Sequence, residues 1–192
     1  MVDVLSTSQR QDRPDSPPES DIGNVVVWEH GQGEHFWVFP ESKDELGSGG
    51  EFHVYVDPVT HPEATASFAR FSLGVGGDLA EHKHERSQEL AYLISGEGAV
   101  KRREDGDLVE IPIIAGSVWY IPPSAWHSVK NTGISPLVMV FATVPNVEKG
   151  LLSFFRKIAT IPGQKPTALS REDLASIGAE HDFVLRAATT SA

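Results

Sequence analysis

Two histidines one residue apart, His82 and His84, stand in a stretch headed by Gly76-Gly77, with Glu89 and then Gly96 following. On an extended strand alternate side chains share a face, so the two imidazoles point the same way. Two imidazoles and a nearby carboxylate are a donor set that divalent Fe, Mn, Ni or Zn accepts. A second stretch carries Gly116, Pro122, His127 and Asn131 and offers a third imidazole. A metal held there would polarise a substrate oxygen and lower its pKa. Three jobs are open to Glu89: fourth ligand, base, or a carboxylate hydrogen-bonded behind a ligand.

The elements around these residues are short strands. Val25–Trp28, His35–Phe39 and Glu51–Asp57 are apolar or alternating runs, separated by Gly31-Gln-Gly33 and a glycine-rich loop at Ser42–Gly50. Ser67–Leu73, His82–His84, Leu90–Ile94, Gly98–Arg102, Leu108–Pro112, Val118–Ile121, His127–Lys130 and Leu137–Val144 follow. A hairpin is expected around Ser95-Gly96-Glu97 and a turn at Glu104-Asp-Gly-Asp107. Many short strands at close intervals argue an antiparallel sandwich or barrel. After Pro145 the period becomes helical through Val147, Leu151, Leu152, Phe155 and Ile158, with Asn146 as the expected cap. Ser170-Arg-Glu-Asp173 reads as a capping box opening a second short helix. The organisation is therefore a disordered tail at 1–23, a barrel at 24–145, a helical extension at 146–186 packed on it, and a disordered tail at 187–192.

Composition excludes several partners. The chain has 192 residues, a formal net charge of −11 and no cysteine. With no Lys/Arg cluster, neither nucleic acid nor an anionic membrane is expected. Disulfide and thiolate chemistry are excluded. No signal peptide and no apolar run of membrane-spanning length is visible, so the reading is cytoplasmic.

The two stretches resemble the two sequence motifs of the cupin superfamily: glycine, His82, His84, Glu89 and Gly96, then Gly116, Pro122, His127 and Asn131. Ser124 departs, standing where the family pattern has glycine, which puts the path of that turn in question. The apolar segment Gly31–Phe39 and the stretch Leu151–Ile158 are similar to the flanks of small single-domain cupins related to quercetin 2,3-dioxygenase. The resemblance implies an all-β double-stranded β-helix (jelly-roll) barrel with one or two short C-terminal helices. It implies one divalent transition metal per subunit, iron foremost, held by His82, His84, Glu89 and His127, with Glu89 also the catalytic candidate. It implies a dioxygenase taking O2 and a small oxygenated substrate, aromatic or flavonol-like. Closely similar barrels act on different molecules, so two other classes stay open: an O2-independent isomerase, lyase or cyclase, and a non-enzymatic small-molecule binder.

Other residues read more plainly. His30, His35, His53, His61 and His181 have no partners at ligand spacing and read as structural or surface residues. Tyr92, Trp119 and Trp126 are candidate pocket walls, and Asn131 reads as a turn residue. Val25–Trp28 and Phe36–Phe39, apolar on both faces, predict a homodimer in which an N-terminal strand meets the partner's sheet.

Overall fold

A computed structural model of the protein describes residues 25–39 and 49–187. The tails expected at 1–23 and beyond 187, and most of the Ser42–Gly50 loop, lie outside the described residues. Two antiparallel sheets face each other. One runs in the order β1 (Glu34–Val38), β2 (Gly50–Val56), β3 (Ser67–Leu73), β10 (Leu137–Val144), β5 (Gln88–Ser95), β8 (Val118–Ile121). The other runs β11 (Val184–Leu185), β4 (His82–Lys83), β9 (His127–Asn131), β6 (Glu97–Glu104), β7 (Asp107–Ile114). The sandwich follows from period two. In β10, Leu137, Met139 and Phe141 are buried while Val138, Val140 and Ala142 lie on the outer face. Phe52, Phe71 and Leu93 meet them from neighbouring strands, and Val100 and Val129 from the opposite sheet.

Helix α1 (Leu151–Lys157) lays Leu151, Leu152, Phe154 and Phe155 against this core and closes one end of the barrel. Its cap is Gly150, which offers no side chain. Asn146, the expected cap, instead donates Nδ2–H to the Ala64 carbonyl at 3.0 Å and ties the end of β10 to the loop before β3. Helix α2 (Arg171–Ala179) opens on the expected capping box, with Ser170 and Asp173 satisfying each other's backbone N–H.

Two further expectations are corrected. Val25–Trp28 forms no strand: Val25 and Val27 are 93% and 78% exposed, and Trp28 packs on Tyr55 and His61. Ser95-Gly96-Glu97 joins no hairpin, because β5 and β6 belong to different sheets and the chain crosses the sandwich there. Gly96 makes that corner at φ +90°, where a Cβ would stand 2.7 Å from the Pro136 carbonyl oxygen. The hairpin lies one strand later, β6 to β7 around Asp105-Gly106.

Candidate metal centre

The short β4 pairs with β9 so that His82 lies directly opposite His127. His84 follows just beyond the end of β4, and its ring also turns inward. The ring centroids of His82–His127, His82–His84 and His84–His127 are 4.3, 5.1 and 5.2 Å apart. All three are buried, and one ligand nitrogen from each lies within 4.8 Å of the others.

The backbone decides which nitrogen each ring offers. His82 Nδ1 lies 2.8 Å from the Ala80 carbonyl, His84 Nδ1 2.7 Å from that of Asp182, and His127 Nδ1 2.9 Å from that of Ala125. A carbonyl only accepts, so each Nδ1 carries the proton and each Nε2 is left with a bare lone pair. The Nε2 atoms of His84 and His127 are buried without a hydrogen-bond partner, which is costly unless something binds them. A divalent cation fits this donor set, and carbonyl-bound Nδ1–H groups are what orients ligating imidazoles. Burial depresses all three pKa values, His127 to about 4 and His82 with added help from the neighbouring imidazoles, so the rings are neutral at pH 7.

Glu89 enters from the other sheet. Its Oε2 lies 3.7 Å from His84 Nε2, and the residue is buried. Burial lifts its carboxyl to about 7, while the Trp119 indole N–H acts in the opposite sense. That N–H is itself buried and completes no hydrogen bond. Beside the imidazoles lies a cavity of about 30 Å³, walled by Phe52, Leu79, Met139 and Phe141 and closed by Leu151 and Phe155 of α1. At roughly 10–15 Å³ per water it has room for two or three water-sized groups.

Of the candidate walls, Trp119 alone joins the site, as a half-buried residue beside Glu89. Tyr92 points outward at 47% exposure, and Trp126 carries Lys83 and Arg186 over its ring at 5.1 and 5.3 Å. Asn131 secures its turn as expected, donating to the Leu73, Gly74 and Ser135 carbonyls and accepting from Gly133 N–H. Ser124 takes the glycine-like conformation at φ +66°. Its N–H donates to the His84 carbonyl at 2.6 Å and its hydroxyl to Glu85 Oε2 at 2.6 Å. The departure thus keeps the turn's path.

His35 and His53 do have partners: cross-strand neighbours, they stack at 4.2 Å and 13° beside Glu51. The two imidazoles hold the Glu51 carboxyl down at about 2 against the effect of burial. The near-parallel rings cannot aim two in-plane lone pairs at one ion, and His35 Nε2 is instead engaged by Glu51 Oε1 at 2.8 Å. Sequence reasoning missed Asp182 and Phe183 entirely. Asp182 receives the His84 Nδ1–H, and the Phe183 ring stacks on His82 at 4.3 Å and 23°. Neither position carries any local signal.

Comparison with known proteins bears on the family and the fold. The family described as "Cupin domain" matches residues 69–143. The oxalate-binding protein of Thermotoga maritima is 37% identical over 104 residues, covering 52% of this chain and 82% of that protein. An uncharacterised protein of Methanocaldococcus jannaschii is 32% identical over 97 residues, 50% of this chain and 74% of that one. A solved oxalate oxidase in complex with the substrate analogue glycolate superposes with a TM-score of 0.52 at 18% identity, over 74% of this chain and 72% of that one, a likeness of fold.

Proposed function

The chain belongs to the cupin superfamily, and from that premise we propose a metal-dependent enzyme acting on a small oxygen-chelating compound of the oxalate and 2-oxo or 2-hydroxy acid class. One observation carries the reading: three buried imidazoles, each with Nδ1 tied to a backbone carbonyl, bring ligand nitrogens within 4.8 Å of one another, and His82, His127 and Glu89 line one small cavity. His82, His84 and His127 would hold the metal, with Glu89 as fourth ligand from the opposite sheet. When bound, the metal supplies Lewis-acid polarisation of the substrate oxygens and, if iron or another redox metal, a site for O2. The protein's own part is to keep the imidazoles neutral, exclude water with Phe141, Leu151 and Phe155, and keep Glu89 within reach of a substrate proton. The cavity supports a substrate of a few heavy atoms, and a flavonol would require α1 to move. The reaction we assign is O2-dependent cleavage. The oxalate-binding relative supports the ligand class.

The test is metal analysis of purified protein, then oxygen uptake and product analysis with oxalate, glycolate, glyoxylate and a 1,3-diketone. Metal with O2-dependent turnover supports the proposal. Turnover persisting under nitrogen would assign lyase or isomerase chemistry instead, and tight binding without turnover would make the protein a binder.

We propose a homodimer as well, on a face other than the one first expected. Phe36 and Val38 are buried in their own subunit, and Trp37 is bridged to Thr160. The outer face of β5 and β8 instead exposes Leu90, Tyr92, Ile94, Val118 and Tyr120, and Phe68 extends it across β10 along the row Phe68–Ala142–Leu90–Tyr120. These six side chains, 41–70% exposed, present roughly 500 Å² of apolar surface. Two such faces opposed would bury about 1,000 Å², enough for a specific contact. A dimeric mass at micromolar concentration that falls to monomeric in Val118→Lys supports it. A monomeric wild type would refute it.

A further inference from the structure

The stretch that joins His84 to Glu89 passes from one sheet to the other, and no strand pairing holds it. Beside the Ser124 bonds to His84 and Glu85, what holds it is one buried residue, Asp182, 95 to 98 residues further along the chain. Asp182, 2% exposed, accepts on Oδ1 from the N–H groups of Glu85 at 2.8 Å and Arg86 at 3.0 Å. Its Oδ2 accepts from the Ser87 hydroxyl at 2.7 Å, and its carbonyl takes the His84 Nδ1–H at 2.7 Å. One residue thereby fixes the tautomer of His84 and the three residues that set its separation from Glu89. The next residue, Phe183, is 4% exposed and sits between His82, at 4.3 Å, and Phe154 of α1, at 4.0 Å and 10°. β11 then pairs with β4, setting Leu185 opposite His82. Asp182 N–H in turn donates to the Lys149 carbonyl at 2.7 Å, just ahead of α1.

We infer that Asp182 is a positioning residue for the metal centre, and that seating of the segment Asp182–Leu185 and metal binding are energetically coupled. The inference rests on the metal reading above. A metal drawing the three Nε2 atoms together needs His84 in the tautomer Asp182 enforces and Glu89 at the spacing its carboxylate enforces. By linkage, whatever seats the segment strengthens metal binding, and metal binding seats the segment to the same degree. Carboxylates and carbonyls behind ligating histidines are typically worth 10–100-fold in metal affinity. The carbonyl acts on His84 and stays in any side-chain variant, while the carboxylate acts on Glu89 through the connecting residues, so its loss should lie toward the lower end.

The experiment uses full-length protein and Zn2+ alone as probe, with affinity read by competition against a chromophoric chelator. Asp182→Ala keeps the backbone carbonyl on His84 and removes only the carboxylate that holds Glu85, Arg86 and Ser87, so it should weaken Zn2+ about 10-fold. Asp182→Asn, whose amide oxygen can still accept from Glu85 and Arg86, should lose clearly less, and Ser87→Ala less again. In the wild type, Zn2+ should slow hydrogen exchange at the amides of Glu85, Arg86 and Leu185, a readout that survives if Asp182→Ala fails to fold. Asp182 variants that are thermally weakened yet bind Zn2+ as tightly as wild type would make the residue purely structural and overturn the inference. So would metal-independent exchange at those amides. A wild type that takes up no metal would instead overturn the metal reading itself, and the coupling with it.

Discussion

His84 Nε2, just beyond the end of β4, and Glu89 Oε2, on β5 of the facing sheet, lie 3.7 Å apart and are buried together. Without a cation this is an expensive pair. Glu89 carries most of the cost, since its carboxyl is lifted from 4.5 to about 7 by burial.

A group whose folded pKa is raised contributes fully below its unfolded pKa and loses that contribution as pH rises through the folded value. Metal-free protein should therefore lose about 3 kcal/mol from Glu89 between roughly pH 4.5 and pH 8. Glu89→Gln, neutral at every pH, should make the metal-free protein more stable than wild type at pH 8 and leave it nearly unchanged at pH 5. Denaturant titrations at the two pH values check this. Equal stability offsets at both would show that the fold does not raise the Glu89 pKa.

The histidines give the opposite slope. Their folded pKa values are depressed by burial, so the unfolded chain binds protons that the native state refuses, and stability falls as pH drops below 6.5. His127 alone should account for about 3 kcal/mol between pH 6.5 and pH 4. Thermal melts of metal-free His127→Ala should show a shallower loss of stability across that window than wild type.

His127→Ala should also abolish most metal uptake, well beyond the 10–100-fold typical of residues behind the ligands. The barrel should still fold, because Phe52, Leu93 and Phe141 supply its burial independently of any ion. Metal content and circular dichroism of the variant decide this. Full metal occupancy in His127→Ala would remove it from the ligand set.

At Ser124 the left-handed backbone costs about 1 kcal/mol relative to glycine. Its two hydrogen bonds, one to His84 and one to Glu85, work against that cost. Ser124→Gly keeps the backbone bond and releases the strain, whereas Ser124→Ala keeps the strain and loses the hydroxyl. The expected order of melting temperatures is Gly at or above wild type, and Ala below both.

What was legible in the sequence was local in origin. Strand alternation in Leu137–Val144, the turn at Asp105-Gly106 and the capping box at Ser170 all depend on residues within a few positions of one another. The pairing of His82 with His84 by their spacing, and the motif resemblance that adds Glu89 and His127, likewise sit in two short stretches. The rest depends on which strands become neighbours. Gly96 marks a tight bend in either topology, and only the assembled sheets decide that the chain crosses there rather than turning back. His35 meets His53 and Glu51 through the register of β1 on β2, which no spacing encodes. Val25–Trp28 has the side chains of a strand but no described partner to give it one. Asp182 and Phe183 reach the histidines only after α1 and α2 have carried the chain back to the barrel, because a hydrogen bond across 98 residues is a property of the fold and leaves no period behind it.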